Sequence, residues 1–488
     1  MWGSWSFLHP SLWGAISLLF LITSLAIAII VISEKRSPYK TAAWILALVL
    51  LPVIGLVFYL VFGQEYRKKK MFSRRGLKTL GKFRSLSSRQ LRKLQAHEYL
   101  LPEAAREKEK LVKLLMNNSH SLLTTGNRLR ILNNGKNCFN AIFGAMERAR
   151  HHIHLEYYIV EDDEIGNRLK DILMRKSKEG VEVRMIIDDV GSWGLSRKYI
   201  RELKSAGVDV RPFMEVRFPR LTPRVNYRNH RKIVVVDGVI GFTGGINVAD
   251  RYLKGLPGIG PWRDTHLQVE GDAVAYLQVI FAADWYFITK ESFYGQDYFT
   301  SISQSPGPAV QITASGPDSD WDNIGQAFFA AITGARKRIA IVTPYLMPPP
   351  PIVTALKTTA LGGVEVKLLI PEFSDAIISK WCSFSFVEEL LEAGVRVFFY
   401  QKGFVHSKLI MVDGVLSAIG TANLDFRSLE TNFEVTAFVY DEAFTRQLEA
   451  YFSHDLRNSR EIIYSDWKKR PRISRMKESL AHLISPMY

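Results

Sequence analysis

Asn229-His230-Arg231-Lys232-Ile233-Val234-Val235-Val236-Asp237-Gly238 and Val405-His406-Ser407-Lys408-Leu409-Ile410-Met411-Val412-Asp413-Gly414 are two copies of one pattern. Each copy runs on into a glycine turn and an asparagine, Gly244-Gly245-Ile246-Asn247 in the first and Gly420-Thr421-Ala422-Asn423 in the second. Taken alone, either histidine reads as a structural residue. The same order found twice marks a duplicated domain. Alternation along a strand puts His230 and Lys232 on one face, and His406 and Lys408 likewise. The apolar runs that follow read as fully buried strands, which would hold His and Lys at the rim of a rigid sheet.

Working outward, Gly180-Val181-Glu182-Val183 recurs as Gly363-Val364-Glu365-Val366, 183 positions on, and Ala206-Gly207-Val208 recurs as Ala393-Gly394-Val395, 187 positions on. The motif histidines are 176 positions apart. Strand-like and helix-like runs alternate around these landmarks, which predicts an α/β fold with mixed sheets flanked by helices. The predicted domains are 119–300 and 309–488, joined by the Ser- and Pro-rich stretch between them. A pseudo-twofold relation would bring the two half-sites together.

Two histidines, two lysines and two asparagines form a set suited to phosphate, because cations and amides stabilise its oxygens. One imidazole can attack phosphorus while the other protonates the leaving oxygen. No dense carboxylate cluster accompanies the motifs, so a two-metal phosphoryl-transfer site is not expected. Two cysteines, Cys138 and Cys382, are too few for a disulfide framework or a thiolate cluster. Neither a metal nor a cofactor is indicated.

The 488-residue chain is 47% hydrophobic and carries a formal net charge of +16. Residues 12–33 and 41–63 are long apolar runs, each enough to cross a hydrocarbon core. They predict a two-helix transmembrane anchor over residues 1–65. The first lacks the basic start of a signal peptide, and a second follows at once. A basic connector, 66–118, follows. Between Arg67 and Lys93 it has twelve basic residues and no acidic one. Beside a membrane such a block reads as attraction to anionic lipid rather than to nucleic acid. The charge rule puts the domains on the cytoplasmic side.

The chain resembles the phospholipase D superfamily and, within it, the bacterial cardiolipin synthases. The resemblance rests on both His-x-Lys motifs, on Arg36-Ser37-Pro38, Thr41-Ala42-Ala43-Trp44, Leu51-Pro52 and Gly55, and on His154-Leu155-Glu156-Tyr157-Tyr158. Trp262-Arg263-Asp264-Thr265-His266, Thr343-Pro344-Tyr345, Asn423-Leu424-Asp425, Arg427-Ser428 and Asn432-Phe433-Glu434 also carry it. It implies a phosphatidyltransferase of the bacterial inner membrane, acting on anionic phospholipid. A histidine would attack one phosphatidylglycerol and release glycerol. A second phosphatidylglycerol would then attack the phosphatidyl-histidine and give cardiolipin.

The resemblance further implies His230 as nucleophile and His406 as general acid and then base. Lys232, Lys408, Asn247 and Asn423 would hold phosphate, and Asp264 and Glu434 would orient the imidazoles. Asp237 and Asp413 complete the catalytic motifs, though bracing of the sheet suits them better than contact with substrate. In related chains an acidic pair follows Thr343-Pro344-Tyr345; here Leu346-Met347 and four prolines stand instead. Asp264 lies 17 positions from Asn247 where Glu434 lies 11 from Asn423, so the first half carries an inserted loop over residues 254–261.

The alternatives are a hydrolytic phospholipase D releasing phosphatidic acid, a nuclease, and an inactive lipid-binding scaffold. His152-x-His154 reads as packing or a metal pair, and Glu156 as site lining or a surface carboxylate. His266 has no assigned chemistry. Arg211, Arg217, Arg220, Arg224, Arg228 and Arg231 read as guides for anionic headgroups or as solvated charge. The C-terminal run 473–484 reads as a lipid-resting amphipathic helix or an ordinary surface helix. A homo-oligomer is compatible with the chain, but nothing in it specifies one.

Overall fold

In the chain order of its strands, the molecule says the same thing twice. The first sheet is built from β1 (Arg128–Asn133), β2 (His152–Tyr157), β3 (Glu182–Asp188), β4 (Asp209–Phe213), β5 (Ile233–Val236), β6 (Ile240–Gly244) and β7 (Thr265–Glu270). The second is built from β8 (Ala309–Ser315), β9 (Arg338–Val342), β10 (Glu365–Pro371), β11 (Arg396–Tyr400), β12 (Leu409–Val412), β13 (Leu416–Gly420), β14 (Glu434–Tyr440) and β15 (Ser459–Ile462). The spatial orders are β1-β7-β6-β5-β2-β3-β4 and β8-β14-β13-β12-β9-β10-β11-β15. Pairings β2–β3–β4 and β9–β10–β11 are parallel, and the rest are antiparallel. The two α/β domains with mixed sheets therefore share one topology, and β15 is an added edge strand.

This is a computed structural model. It describes residues 38–50, 78–216, 226–293, 295–300 and 306–487, with single positions 18, 22, 23, 25, 27–29, 32 and 55. The chain divides into two compact units, residues 1–73 with 217–225, and residues 74–216 with 226–488.

In the first unit, Pro38–Leu50 is helical, and Ile27, Leu48 and Trp44 pack together. Leu18, Ile22, Leu25, Ile29, Ile32, Leu46, Val49 and Leu50 are exposed. Among the described residues no helix is long and apolar enough to cross a membrane. Most of the predicted spans 12–33 and 41–63 lies outside the described residues.

The second unit holds both sheets. The apolar runs of the two motifs are β5 and β12, buried at every position. Burying each such Val, Ile or Leu side chain contributes roughly 1.5–3 kcal/mol, so these strands are fixed in place. One core covers the outer face of the first sheet and another that of the second. A third joins the sheets, with Ile233, Val235 and Leu267 of one packed among Met411, Ile419 and Val435 of the other. Within the connector, Leu94, Val112 and Leu115 pack with Ile324 and Phe328 of the second domain's core.

Asp237 and Asp413 follow directly on β5 and β12, five residues beyond each lysine. Both take positive φ, 54° and 55°, in tight turns with Gly238 and Gly414. Asp and Gly tolerate that left-handed region. The Asp237 carboxylate accepts the backbone N–H groups of Arg150, His151 and His152. Asp413 accepts those of Arg336, Lys337 and Arg338 and is paired with buried Lys108 at 2.5 Å. Both therefore sit at the far end of the strand from the histidines. Grouping them with the catalytic residues is corrected: each ties its hairpin to the start of β2 or β9.

Candidate active site

The strand end that carries each histidine is pinned by the opposite half. The His230 N–H donates to the Phe433 carbonyl at 2.9 Å, and the His406 N–H to the Arg263 carbonyl at 2.7 Å. Phe433 and Arg263 immediately precede Glu434 and Asp264. Each carboxylate is thereby delivered to the other half's histidine. His230 Nδ1 lies 2.9 and 3.0 Å from the Glu434 oxygens, and His406 Nδ1 lies 2.7 Å from Asp264 Oδ2. The contacts are reciprocal, as a pseudo-twofold relation requires. A carboxylate on Nδ1 fixes the tautomer and presents Nε2 for chemistry.

The inserted loop is what makes the Asp264 contact possible. Leu256 and Gly260 close it, and the Pro261 carbonyl accepts the N–H of Phe404. Trp262–Arg263 then pairs in parallel with Phe404–Val405. At Gly403, φ is 117° and a Cβ would fall 2.1 Å from the Pro261 carbonyl oxygen, so only glycine permits the approach. At Gly245 a Cβ would fall 2.3 Å from Asp264 Oδ1.

The lysines share the histidines' strand faces. Lys232 Nζ and Lys408 Nζ each donate to the carbonyl of their own motif histidine at 2.6 Å. Lys408 Nζ also lies 3.0 Å from His406 Nδ1 and 3.1 Å from its Nε2. Both ammonium groups are buried. Burial, offset in part by Glu434, holds Lys232 down to about 7, and burial, offset in part by Asp264, holds Lys408 to about 8. Burial lowers His230 to about 4 against the pull of Glu434, and burial with Lys408 and Lys232 holds His406 well below its ordinary range.

The carboxylates differ. Burial raises Asp264 to about 6, whereas at Glu434 the charge and hydrogen bond of His230, with Lys232 and Thr421, outweigh burial and keep the carboxyl low. Thr421 Oγ1 donates to Glu434 Oε2 at 2.5 Å.

Asn247 and Asn423 are buried on the same loops as expected. Asn247 Nδ2 donates to the Tyr252 hydroxyl at 2.7 Å, and Asn423 Nδ2 to Asp425 Oδ2 at 2.9 Å. Each amide has a second N–H left for a ligand. His266 is buried two residues after Asp264, and neither ring nitrogen finds a partner among the described residues.

Several residues near the histidines escaped sequence reasoning. The Tyr158 ring meets His230 edge-on at 4.9 Å, and Tyr252, Trp262 and Phe404 surround His406 at 5.1–5.7 Å. Arg228 and Arg231 are buried, not surface guides for lipid. Arg228 pairs with Asp188 at 3.3 Å, and Arg231 pairs with Asp284 and donates to the carbonyls of Glu434 and Ser315. Asn229 Nδ2 donates to Glu156, which is buried, so a surface role for Glu156 is excluded.

Arg211 is paired with Asp209, and residues 217, 220 and 224 lie outside the described residues. His152 and His154 pack with Gln278, Phe281 and Tyr298, and no metal-holding cluster occurs among the described residues. Leu346–Met347 pairs with Leu424–Asp425, and the prolines that follow begin the helix Pro350–Leu361, where proline suits the first turn. Asp375 comes to the Tyr345 hydroxyl from another loop, at 2.7 Å.

Comparison with known proteins agrees with this geometry. The family described as "Cardiolipin synthase, PLD-like domain" matches residues 142–285 and 328–456, and "Phospholipase_D-nuclease N-terminal" matches residues 21–64. A cardiolipin synthase of Alkalihalophilus pseudofirmus is 43% identical, over 99% of this chain and 95% of the relative. The major cardiolipin synthase of Bacillus subtilis is 37% identical, over 97% and 98%. A crystal structure of phosphatidylserine synthase from Haemophilus influenzae superposes with a TM-score of 0.60 at 14% identity, over 79% of this chain and 100% of that one, and shows the shared fold. With two histidine motifs completed across one interface and near full-length likeness to these relatives, the chain belongs to the cardiolipin synthase family of phospholipase D-like proteins.

Proposed function

We propose that the protein makes cardiolipin and glycerol from two molecules of phosphatidylglycerol, through a phosphatidyl group held on His230. One observation carries the reading: each imidazole takes its Nδ1 partner from the opposite half, which leaves His230 Nε2 and His406 Nε2, the latter 3.1 Å from Lys408 Nζ, for the chemistry. His230 Nε2 makes no hydrogen bond to another described residue. With Nδ1–H donated to anionic Glu434, it attacks phosphorus and the P–O bond to glycerol breaks.

His406 supplies the proton to that oxygen. Burial, with the charges of Lys408 and Lys232, holds His406 well below its ordinary range. A bound phosphodiester anion offsets both cations and raises the imidazole, so it can carry a proton when substrate is present. His406 then takes the proton from the hydroxyl of the second phosphatidylglycerol, which attacks phosphorus and frees His230. Lys232, Lys408 and the remaining N–H groups of Asn247 and Asn423 stabilise the phosphate oxygens.

Residues 1–65 anchor this machinery in the inner membrane of a bacterium, with the domains 119–300 and 309–488 and the connector 66–118 on the cytoplasmic side. The exposed Leu and Ile side chains of the first unit support a hydrocarbon environment.

Lipid mass spectrometry after incubation with phosphatidylglycerol vesicles tests the reading. Cardiolipin and glycerol, absent with His230→Ala and His406→Ala, are the expected products. Phosphatidic acid as the main product would make the enzyme a hydrolase, and cleavage of single-stranded DNA would revive the nuclease.

A further inference from the structure

The C-terminal helix Arg472–Ile484 is packed the wrong way round for a soluble protein. The side it turns inward carries Ala481 and its one carboxylate, Glu478, held by Arg470 at 2.5 and 2.9 Å. Ala481 also accepts a hydrogen bond from Cys382, and His482 meets Ser385 and Phe386. The side turned to solvent carries Ile473, Met476, Leu480 and Leu483, exposed by 54%, 52%, 60% and 75%. At about 100° per residue these four fall within one narrow arc. A chain free to choose would bury that row and expose the glutamate. Its exposure marks a surface that meets something apolar.

The rim around the row is cationic. Arg472, Arg475 and Lys477 stand on this helix, and no carboxylate of the helix faces outward. Glu388 touches Arg475 at 3.8 Å, and Asp466 is paired with Lys469. A second copy related by a twofold would set these cations against each other, whereas an anionic lipid surface complements them.

The helix is also tied to the active site. It packs on Ile377–Ser385, which begins just after Asp375. Asp375 binds the Tyr345 hydroxyl, and the Tyr345 ring lies 6.2 Å from Phe404, itself 5.7 Å from His406.

We propose that the helix Arg472–Ile484 is an interfacial element that lays Ile473, Met476, Leu480 and Leu483 into an anionic bilayer surface and holds the His406 side of the site against lipid. The inference rests on the lipid substrate proposed above. It adds a second attachment, formed by the catalytic unit itself.

The test uses the full chain reconstituted in vesicles of phosphatidylglycerol and phosphatidylethanolamine. Cys138 and Cys382 are buried, so an environment-sensitive dye reports an added exposed cysteine. A dye on Leu480→Cys is expected to shift to the blue and lose about half its emission to nitroxides high on the acyl chains. A dye on Lys198→Cys, in the first domain, is expected to do neither. An unquenched Leu480→Cys dye overturns the proposal. So does a blue shift that grows with protein density without nitroxide quenching, which would assign the row to a second copy.

The double variant Leu480→Glu, Leu483→Glu adds a functional readout. It is expected to raise KM several-fold for phosphatidylglycerol in bilayers while matching the unaltered protein on short-chain phosphatidylglycerol in monomeric solution. Equal loss on both substrates, or loss on neither, counts against the helix. An unaltered protein that makes no cardiolipin refutes the activity instead, and the quenching result then decides the docking alone.

Discussion

The two domains have the same strands in the same order, yet what lies beneath their histidines is opposite in character. In strand register Glu156 faces Ile233 where Val342 faces Leu409, so a buried carboxyl in the first half answers to a valine in the second. Around the first motif stand Arg228, Asn229 and Arg231; the corresponding positions around the second are Phe404, Val405 and Ser407. Asp188, at the end of β3, binds Arg228 and the Asn229 N–H, and its counterpart at the end of β10 is Pro371. His230 is thus set in a hydrogen-bonded polar layer with an anionic partner, and His406 in an aromatic box with a carboxyl that burial pushes toward neutrality. Duplication supplies the frame, and the layer beneath it has diverged. In the mechanism proposed above, the half whose surroundings tolerate charge suits His230, which would carry the phosphatidyl group.

The sharpest way to break this comparison is to remove each histidine and look for the intermediate. Either alanine variant is expected to lose about 10³-fold or more in turnover. With phosphatidylglycerol labelled at phosphorus, the label should remain on His406→Ala protein and be absent from His230→Ala protein. Trapping in the opposite variant would reverse the roles.

Next come the carboxylates. Glu434→Gln is expected to cost about 10²–10³-fold in kcat, because the amide no longer anchors the imidazole in the attacking tautomer. Asp264→Asn should cost about tenfold less, since its carboxyl is already raised toward neutrality. Equal losses would erase the asymmetry.

The polar layer can be tested through stability. Arg231→Met leaves buried Asp284 without its ion pair and is expected to cost about 3–5 kcal/mol in thermal or denaturant unfolding. Ser407→Ala removes one hydroxyl contact, 3.0 Å from Thr265, and is expected to cost about 1 kcal/mol. A Ser407→Ala loss as large as that of Arg231→Met would show both layers to be equally stressed.

The smallest effect is a proton count. Lys232 at about 7 and Lys408 at about 8 stand below the ordinary lysine value of 10.5. Between those values the unfolded chain binds more protons than the folded one. The lysines' contribution to stability is therefore full above the unfolded value and is lost as pH falls through the folded values. A bound anion raises both lysines again. Calorimetry of inorganic phosphate binding at about pH 8, in buffers of different ionisation enthalpy, should accordingly report proton uptake. Absence of uptake would mean that both lysines are already fully charged before phosphate binds.

Much of the site was legible because duplication is a property of sequence. The repeated His-x-Lys, apolar run, Asp-Gly turn and asparagine fixed the two domains, the strand faces and the hairpins, since period-two alternation and turn chemistry act over a few residues. Asp264 and Glu434 were pointed to by the family resemblance, not by the residues' own spacing. That each would serve the other half's histidine was set only by the pairing of Trp262–Arg263 with Phe404–Val405 and of Asn229 with Phe433, contacts between segments far apart in the chain. Burial decided the rest. Arg228 and Arg231 look like lipid guides or solvated charge on paper, and only the fold shows which backbone N–H groups Asp237 and Asp413 accept. A charge is read correctly only once its partner and its solvent access are known, and both are properties of the folded chain.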